Sequence, residues 1–320
     1  MTAPRLPEPL DRLAQIQRGI LTTGQLRRGG VNRDVLRSRL RSGHWQQLHR
    51  SVYATFTGEP SREATLWACV LRAGRGAVLS YYTAAELHGL IDWRSTRVHV
   101  TIPESRRIMP ISGVVLHVEG RAEQAAHPTQ LPPRTKVEET VLDLTQVAGS
   151  AEDACAWIAR GLGRRLTTQA KLRSALDCRR RVRFRAEIAQ MLSPDWAGIH
   201  SALEWRYVKW VEEPHGLPSG KHQVRVARDG RSEYRDVLYD EYALCVELDG
   251  RAAHPGDTRW DDVRRDNAAA AQGVMTLRYG SDDLGLRACE VADQVYRALS
   301  RTGPVRARPC SPGCPVGRNR

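Results

Sequence analysis

The sequence has no uninterrupted apolar run long enough to cross a bilayer, and its mean hydropathy is -0.48, so neither a transmembrane helix nor a signal peptide is expected. The chain is therefore expected to stay in the cytoplasm. Acidic side chains are also in deficit. There are 36 Asp and Glu against 49 Lys and Arg, a formal net charge of +13, which favours a polyanionic partner. Cysteine does not supply a framework either: the count is seven, and an odd number of dispersed residues suits reduced thiols better than paired disulfides. Cys310 and Cys314 form the only close pair, in a Pro- and Arg-rich stretch with no second Cys or His pair nearby in the sequence. Residues 301–320 are accordingly expected to be a disordered tail rather than a zinc knuckle. At 320 residues the chain should bury two or three cores.

What the sequence does contain is a concentration of carboxylates on β-prone segments. Tyr234-Arg235-Asp236-Val237-Leu238-Tyr239 and Leu244-Cys245-Val246-Glu247-Leu248-Asp249-Gly250 are separated by the polar break Asp240-Glu241. Asp229-Gly230 marks a further hairpin just upstream, so three strands in a meander are expected. Side chains of a strand alternate faces, which sends Glu247 and Asp249 to one side and Val246 and Leu248 to the other, with Asp236 meeting the pair from the neighbouring strand. Oxygen donors grouped in this way suit Mg2+ or Mn2+. A helix opening at Ser201-Ala202-Leu203-Glu204 precedes the strands. His254, a helix starting near Thr258-Arg259-Trp260-Asp261, a strand from Val274 to Tyr279 carrying Arg278, and a last helix from about Asp282 to Leu299 follow them.

That succession over about residues 195–300 resembles the restriction-endonuclease-like superfamily, and within it the proteins related to very-short-patch-repair endonucleases. The resemblance implies that Asp236 is the metal-binding Asp of the second core strand and Glu204 the acidic residue of the first helix. Glu247 and Asp249 fall on the acidic and Lys positions of the general PD-(D/E)xK pattern. Asp249 is a departure, because an anion cannot by itself stabilise charge developing on a phosphate; it would bind a second metal or orient the attacking water. His254 is the candidate general base.

The N-terminal segment carries an independent signal. Asp11 to Arg18 has helical spacing, Thr22-Thr23-Gly24-Gln25-Leu26 starts a second helix, and Asn32 to Leu40 makes a third, with short Gly-containing turns between them. Trp45 to Ala54 then reads as a small β-wing, giving a winged helix-turn-helix. The third helix carries Arg33, Arg37, Arg39 and Arg41 and would enter a major groove, while Leu36 and Leu40 face the core. The phrases Gly19-Ile20-Leu21-Thr22, Ser42-Gly43-His44-Trp45 and Val52-Tyr53-Ala54 are similar to the N-terminal domain of AbiEi-family antitoxins. The segment from Arg134 to Leu144 resembles the central region of many AbiEi-like proteins. Glu86 and His88 in that middle region read as packing or exposed residues rather than ligands. A run of basic residues containing Arg181, Arg183 and Arg185 offers a second place for a phosphate backbone.

The expected fold is α+β and multidomain: a winged helix-turn-helix (1–58), a mixed α/β AbiEi-like central region (59–150), a helical basic linker (151–194) and a restriction-endonuclease-like α/β/α domain (195–300), followed by the tail. Two functions fit it. One is a Mg2+- or Mn2+-dependent DNA endonuclease. The other is a non-catalytic AbiEi-type antitoxin and transcriptional autorepressor of a toxin-antitoxin operon, with a nucleotidyltransferase toxin as partner.

Overall fold

The computed structural model describes residues 6–193, 201–228, 231–249 and 273–318. The chain divides into two compact units, Met1–Val147 and Ala148–Arg320. Among the described residues no helix is long and apolar enough to cross a membrane.

The first unit begins with α1 (Glu8–Ile16), β1 (Ile20–Thr22), α2 (Thr23–Arg28), α3 (Arg33–Arg41), β2 (Gln46–His49) and β3 (Val52–Ala54), the strands lying in the antiparallel order β1-β3-β2. Local chemistry fixes these boundaries. Thr22 and Gln25 form a reciprocal capping box at the start of α2, with the Thr22 N–H donating to Gln25 Oε1 at 2.8 Å and the Gln25 N–H to Thr22 Oγ1 at 3.2 Å. Asn32 Oδ1 accepts the Val35 N–H at 2.9 Å to start α3. Each cap satisfies amides that the helix leaves orphaned and contributes about 1 kcal/mol. Gly19 turns the chain into β1 with φ +80, and a Cβ there would sit 2.6 Å from the Phe56 ring, so both backbone and space demand glycine.

Leu10, Ala14, Leu21, Leu26, Leu36, Trp45 and Tyr53 close the core of this winged helix. The other face of its small sheet, through Ile20, Val52 and Ala54, packs on Ala64, Trp67 and Ala68 of α4 (Arg62–Ala73). The remaining side of α4 presents Leu66, Cys69, Val70 and Ala73 to a second sheet, β4 (Val78–Leu79), β5 (Val98–Pro103) and β6 (Val114–Glu119), in the order β4-β5-β6 with β5 and β6 parallel. One helix thus serves two cores, and that shared burial joins the winged helix to the region after it. α5 (Tyr81–Leu87), α6 (Ala122–Ala125) and α7 (Val137–Gln146) complete the unit. Glu86 is held by Arg62 at 2.7 Å, and the ring of half-buried His88 bonds the Thr135 carbonyl at 2.8 Å. Both are packing groups.

The second unit opens with α8 (Ala151–Gly163), α9 (Gln169–Asp177) and α10 (Arg185–Met191), then α11 (Ala202–Tyr207), which runs through a π-helical turn (Val208–Glu212) into α12 (Glu213–His215). β7 (Lys221–Arg228), β8 (Arg231–Tyr239) and β9 (Leu244–Asp249) follow, then β10 (Met275–Gly280), α13 (Ser281–Leu286) and α14 (Ala288–Leu299). The sheet order is β10-β9-β8-β7. The first three strands in sequence form the antiparallel meander, and β10 joins β9 in parallel. Arg228 pairs with Arg231, and the turn expected at Asp229-Gly230 lies outside the described residues.

Val237, Tyr239, Leu244, Val246 and Leu248 pack against Leu203, Tyr207 and Val211 and against Val291, Val295 and Leu299 of α14. Val305, Cys314 and Val316 join this core at 8%, 2% and 0% exposure. The expectation of a disordered tail is corrected here. Its Pro- and Arg-rich composition conceals three small or apolar side chains that fill space beside α14. The segment read as a linker is likewise folded, with Leu172, Leu176 and Ile188 fully buried.

Burial also encloses polar groups. The Tyr207 and Tyr239 hydroxyls meet at 2.9 Å, and Tyr239 donates to Glu212 Oε1 at 2.5 Å, which also accepts the Gly220 N–H at 3.0 Å. Gly220 admits nothing larger, since a Cβ would lie 2.3 Å from Val237 Cγ1. Burial pushes the Glu212 carboxyl up from 4.5 to about 7, against the opposing hydrogen bonds from Tyr239 and Gly220. The folded protein therefore holds a proton that the unfolded chain has already released above pH 4.5. The associated stability is fully present at lower pH and is lost as pH rises through about 7. Relative to Glu212→Gln, the wild type is expected to lose up to about 3 kcal/mol of unfolding free energy between pH 5 and 8. Denaturant melts across that range check it, and identical pH slopes for the two proteins would show that Glu212 ionises normally.

Candidate nucleic-acid interface and carboxylate site

α3 presents its basic residues because its two leucines are committed inward. Leu36 is buried and Leu40 packs against the same core, while Arg33, Arg37 and Arg41 are exposed. Those three recur at intervals of four and form one stripe along the helix. Arg39 falls outside that spacing, half-buried on the opposite flank, so the structure brings together three of the four arginines expected to read DNA. Arg37 approaches Asp34 at 3.9 Å with both side chains exposed, an ion pair too solvated to hold the guanidinium away from a phosphate.

A groove of about 430 Å³ opens beside the tip of the wing. It is lined by Thr22, Thr23 and Gly24 at the start of α2, by Arg50 and Ser51 of the β2–β3 turn, and by Arg72, Arg106 and Arg107. Four arginines on one concave surface of the same unit extend its positive character beyond α3. Sequence periodicity did not reveal these residues, because they come from a turn, a helix end and a loop. Arg183 and Arg185 are differently engaged. Arg183 donates to the Ala148 carbonyl at 2.8 Å, and Arg185 caps the end of α9 by donating to the carbonyls of Leu176 and Arg179. Arg181 is exposed.

In the second unit, Val237 and Val246 stand opposite each other and both enter the core, so Asp236 and Glu247 lie together on the other face. Asp236 Oδ2 accepts the Leu248 N–H at 2.8 Å across the strand pair. Its Oδ1 accepts from Gln223 Nε2 at 3.1 Å, and the same amide donates to Glu204 Oε1 at 2.9 Å. Glu204, in the first turn of α11 and 2% exposed, is therefore tied to Asp236 through Gln223. Gln223 occupies the left-handed region, φ +49, between the regular pairs His222↔Val237 and Val224↔Arg235. A bulky residue there is strained, and the two hydrogen bonds hold it.

Burial raises the Glu247 carboxyl above its ordinary value, the charge of Asp236 adds to the rise, and Arg278 and Arg235 oppose it. Arg278 is the β10 residue paired with Glu247. The Cys245 thiol, pushed up to about 12 chiefly by burial, donates to Glu247 Oε1 at 3.3 Å. The Asp236 charge on the adjacent strand thus adds to burial in raising the proton affinity of Glu247, an effect that a divalent cation or a proton relieves. Asp249 ends β9 opposite Gly280; its side chain, like the whole of His254, lies outside the described residues. Gln223 and Cys245 are the members of this site that the sequence did not announce.

Three comparisons bear on these features. Residues 8–55 match a family model described as transcriptional regulator, AbiEi antitoxin. A solved structure, titled as the crystal structure of RV2827C protein from Mycobacterium tuberculosis, is similar at 19% identity and a TM-score of 0.38, covering 63% of this chain and 82% of that one. No curated protein matches.

Gln223→Ala is expected to leave Glu204 and Asp236 without their shared donor and to lower stability by roughly 1–3 kcal/mol near neutral pH. Guanidinium denaturation measures this, and an unshifted midpoint would mean that the bridge contributes nothing.

Proposed function

We propose that this chain is a DNA-binding transcriptional regulator of the antitoxin type, which docks α3 of its winged helix in a major groove. The observation that carries the reading is the exposed stripe of Arg33, Arg37 and Arg41 on a capped, well-packed helix. That helix lies inside the segment matching an antitoxin regulator model. The basic groove at the wing supplies further phosphate contacts, which position the helix without reading sequence. The target in this reading is the operator of the protein's own operon, and the partner is a nucleotidyltransferase toxin.

Binding is tested by fluorescence anisotropy on duplex DNA from upstream of its own coding sequence. Arg33→Ala with Arg37→Ala is expected to weaken affinity with the melting temperature unchanged, and to lower the salt slope by about one for each phosphate contact removed. Affinity that is unaltered at every salt concentration would remove α3 from the interface.

A second reading rests on a different observation, the shared face of Asp236 and Glu247. Helix, antiparallel meander and a parallel fourth strand follow one another in the second unit in the order that the restriction-endonuclease-like resemblance implies. In this reading Asp236, Glu247 and Asp249 hold Mg2+ or Mn2+ with Glu204 at the rim, and His254 takes a proton from the attacking water. Asp236→Asn keeps the shape and the acceptor toward Leu248 but removes charge. Plasmid cleavage that requires Mg2+ or Mn2+, stops with EDTA and collapses in this variant is the expected result. Absence of wild-type cleavage on duplex, mismatched and single-stranded DNA would leave the regulator alone.

A further inference from the structure

Outside both of these sites, the second unit gathers four soft or borderline ligands from parts of the chain that are far apart in sequence. His215 ends α12, Cys289 lies in the first turn of α14, and Cys310 and Cys314 flank the turn after it. One ligand atom from each lies within 4.8 Å of all the others. Cys289 Sγ and Cys310 Sγ are 3.4 Å apart, far beyond the roughly 2.05 Å of a disulfide bond and near the edge, about 3.8 Å, of a tetrahedron built on 2.3 Å zinc–sulfur bonds. We propose that His215, Cys289, Cys310 and Cys314 form a structural Zn2+ site of the Cys3His type.

The histidine is prepared for this role. Its ring is fully buried, and Nδ1 lies 2.8 Å from the Val211 carbonyl one turn earlier. A carbonyl only accepts, so Nδ1 carries the hydrogen and Nε2 keeps its lone pair. Nε2 is buried and has no hydrogen-bond partner among the described residues. A buried imidazole nitrogen without a partner is costly, and a metal bond removes that cost, while the Nδ1–H to carbonyl bond is the outer-shell contact that orients metal-bound histidines. The cysteines are arranged to match. Cys310-Ser311-Pro312-Gly313-Cys314 has knuckle spacing, and the Cys314 N–H closes the turn on the Ser311 carbonyl at 3.0 Å. The strand-like contact of the Arg308 N–H with the His215 carbonyl at 2.8 Å brings the knuckle to the histidine.

Three sulfurs and one imidazole nitrogen select zinc over the hard cations that carboxylates hold, and four protein ligands leave no open position for substrate. Binding releases the three thiol protons and ties α12, α14 and the following segment to one another. The site owes nothing to the carboxylates of Asp236 and Glu247, so it stands or falls independently of either function proposed above.

The test uses the full chain, expressed with zinc supplementation and purified without chelator. Elemental analysis is expected to give about one zinc per chain, the value for a closed four-ligand site. Cobalt substitution is expected to produce the visible bands of a tetrahedral centre together with sulfur-to-cobalt charge transfer. Cys314→Ser and His215→Ala should bring metal content down to background, whereas Cys178→Ser, at an exposed cysteine away from the cluster, should retain it. Should the buried-site variants fail to fold, the exposed Cys310→Ser and cobalt titration of the wild type test the same ligand set. Zinc retained by Cys310→Ser or Cys314→Ser, a wild type that takes up neither metal, or a disulfide among these cysteines detected by mass would each overturn the assignment.

Discussion

The antiparallel pairing of β8 with β9 in the register Val237↔Val246 decides what the second unit buries and what it presents. Strand side chains alternate with a period of two, so this one pairing sends Val237, Tyr239, Leu244, Val246 and Leu248 into the core and places Asp236 and Glu247 together on the reverse face. A slip by one residue would bury two carboxylates and expose the valines. The apolar core therefore enforces the proximity of the acids. Burial, with the charge of Asp236 added, raises the proton affinity of Glu247, and packing energy on the opposite side of the same strands sustains that cost.

The same logic governs the polar groups within that core. Glu212 and His215 lie within one turn of each other on the continuation of α11, both almost fully buried, and they are satisfied in different ways. Glu212 has Tyr239 and the Gly220 amide and holds its proton up to about 7. His215 has Val211 for one nitrogen, and the zinc proposed above would satisfy the other. Neither would persist in an apolar interior without these partners, because an unmet polar group costs about as much as a good hydrogen bond contributes.

What the sequence made legible was local. The Thr22 and Gln25 pair, the Asn32 cap, the leucines four apart in α3 and the strand alternation around Asp236 and Glu247 each act over a few residues, and each appears in the fold. The winged helix and the meander follow from them. The rest needed contacts between distant parts of the chain. Gln223 joins Glu204 to Asp236 only because β7 adopts a left-handed residue at that point, which no propensity signals. Arg183 and Arg185 looked like a basic run, and what engages them is the position of backbone carbonyls. Cys310 and Cys314 lacked a second pair in sequence and have one in space, from His215 and Cys289. Composition pointed to disorder in that segment because it weighs Pro and Arg and takes no account of where Val305 and Val316 pack.

The carboxylate site reduces to a competition for particular oxygens. Asp236 uses Oδ2 for the Leu248 amide and Oδ1 for Gln223, while Glu247 receives the Cys245 thiol and the field of Arg235 and Arg278. These donors stabilise the acids by hydrogen bonding and by nearby positive charge. A divalent cation entering between the two strands has to share or displace the donors already on Asp236, the Gln223 amide and the Leu248 N–H. Freeing Gln223 would also remove its hydrogen bond to Glu204. A cation that fails to displace these donors leaves a hydrogen-bonded structural face. The left-handed strain at Gln223 favours displacement, and the two hydrogen bonds it makes oppose it.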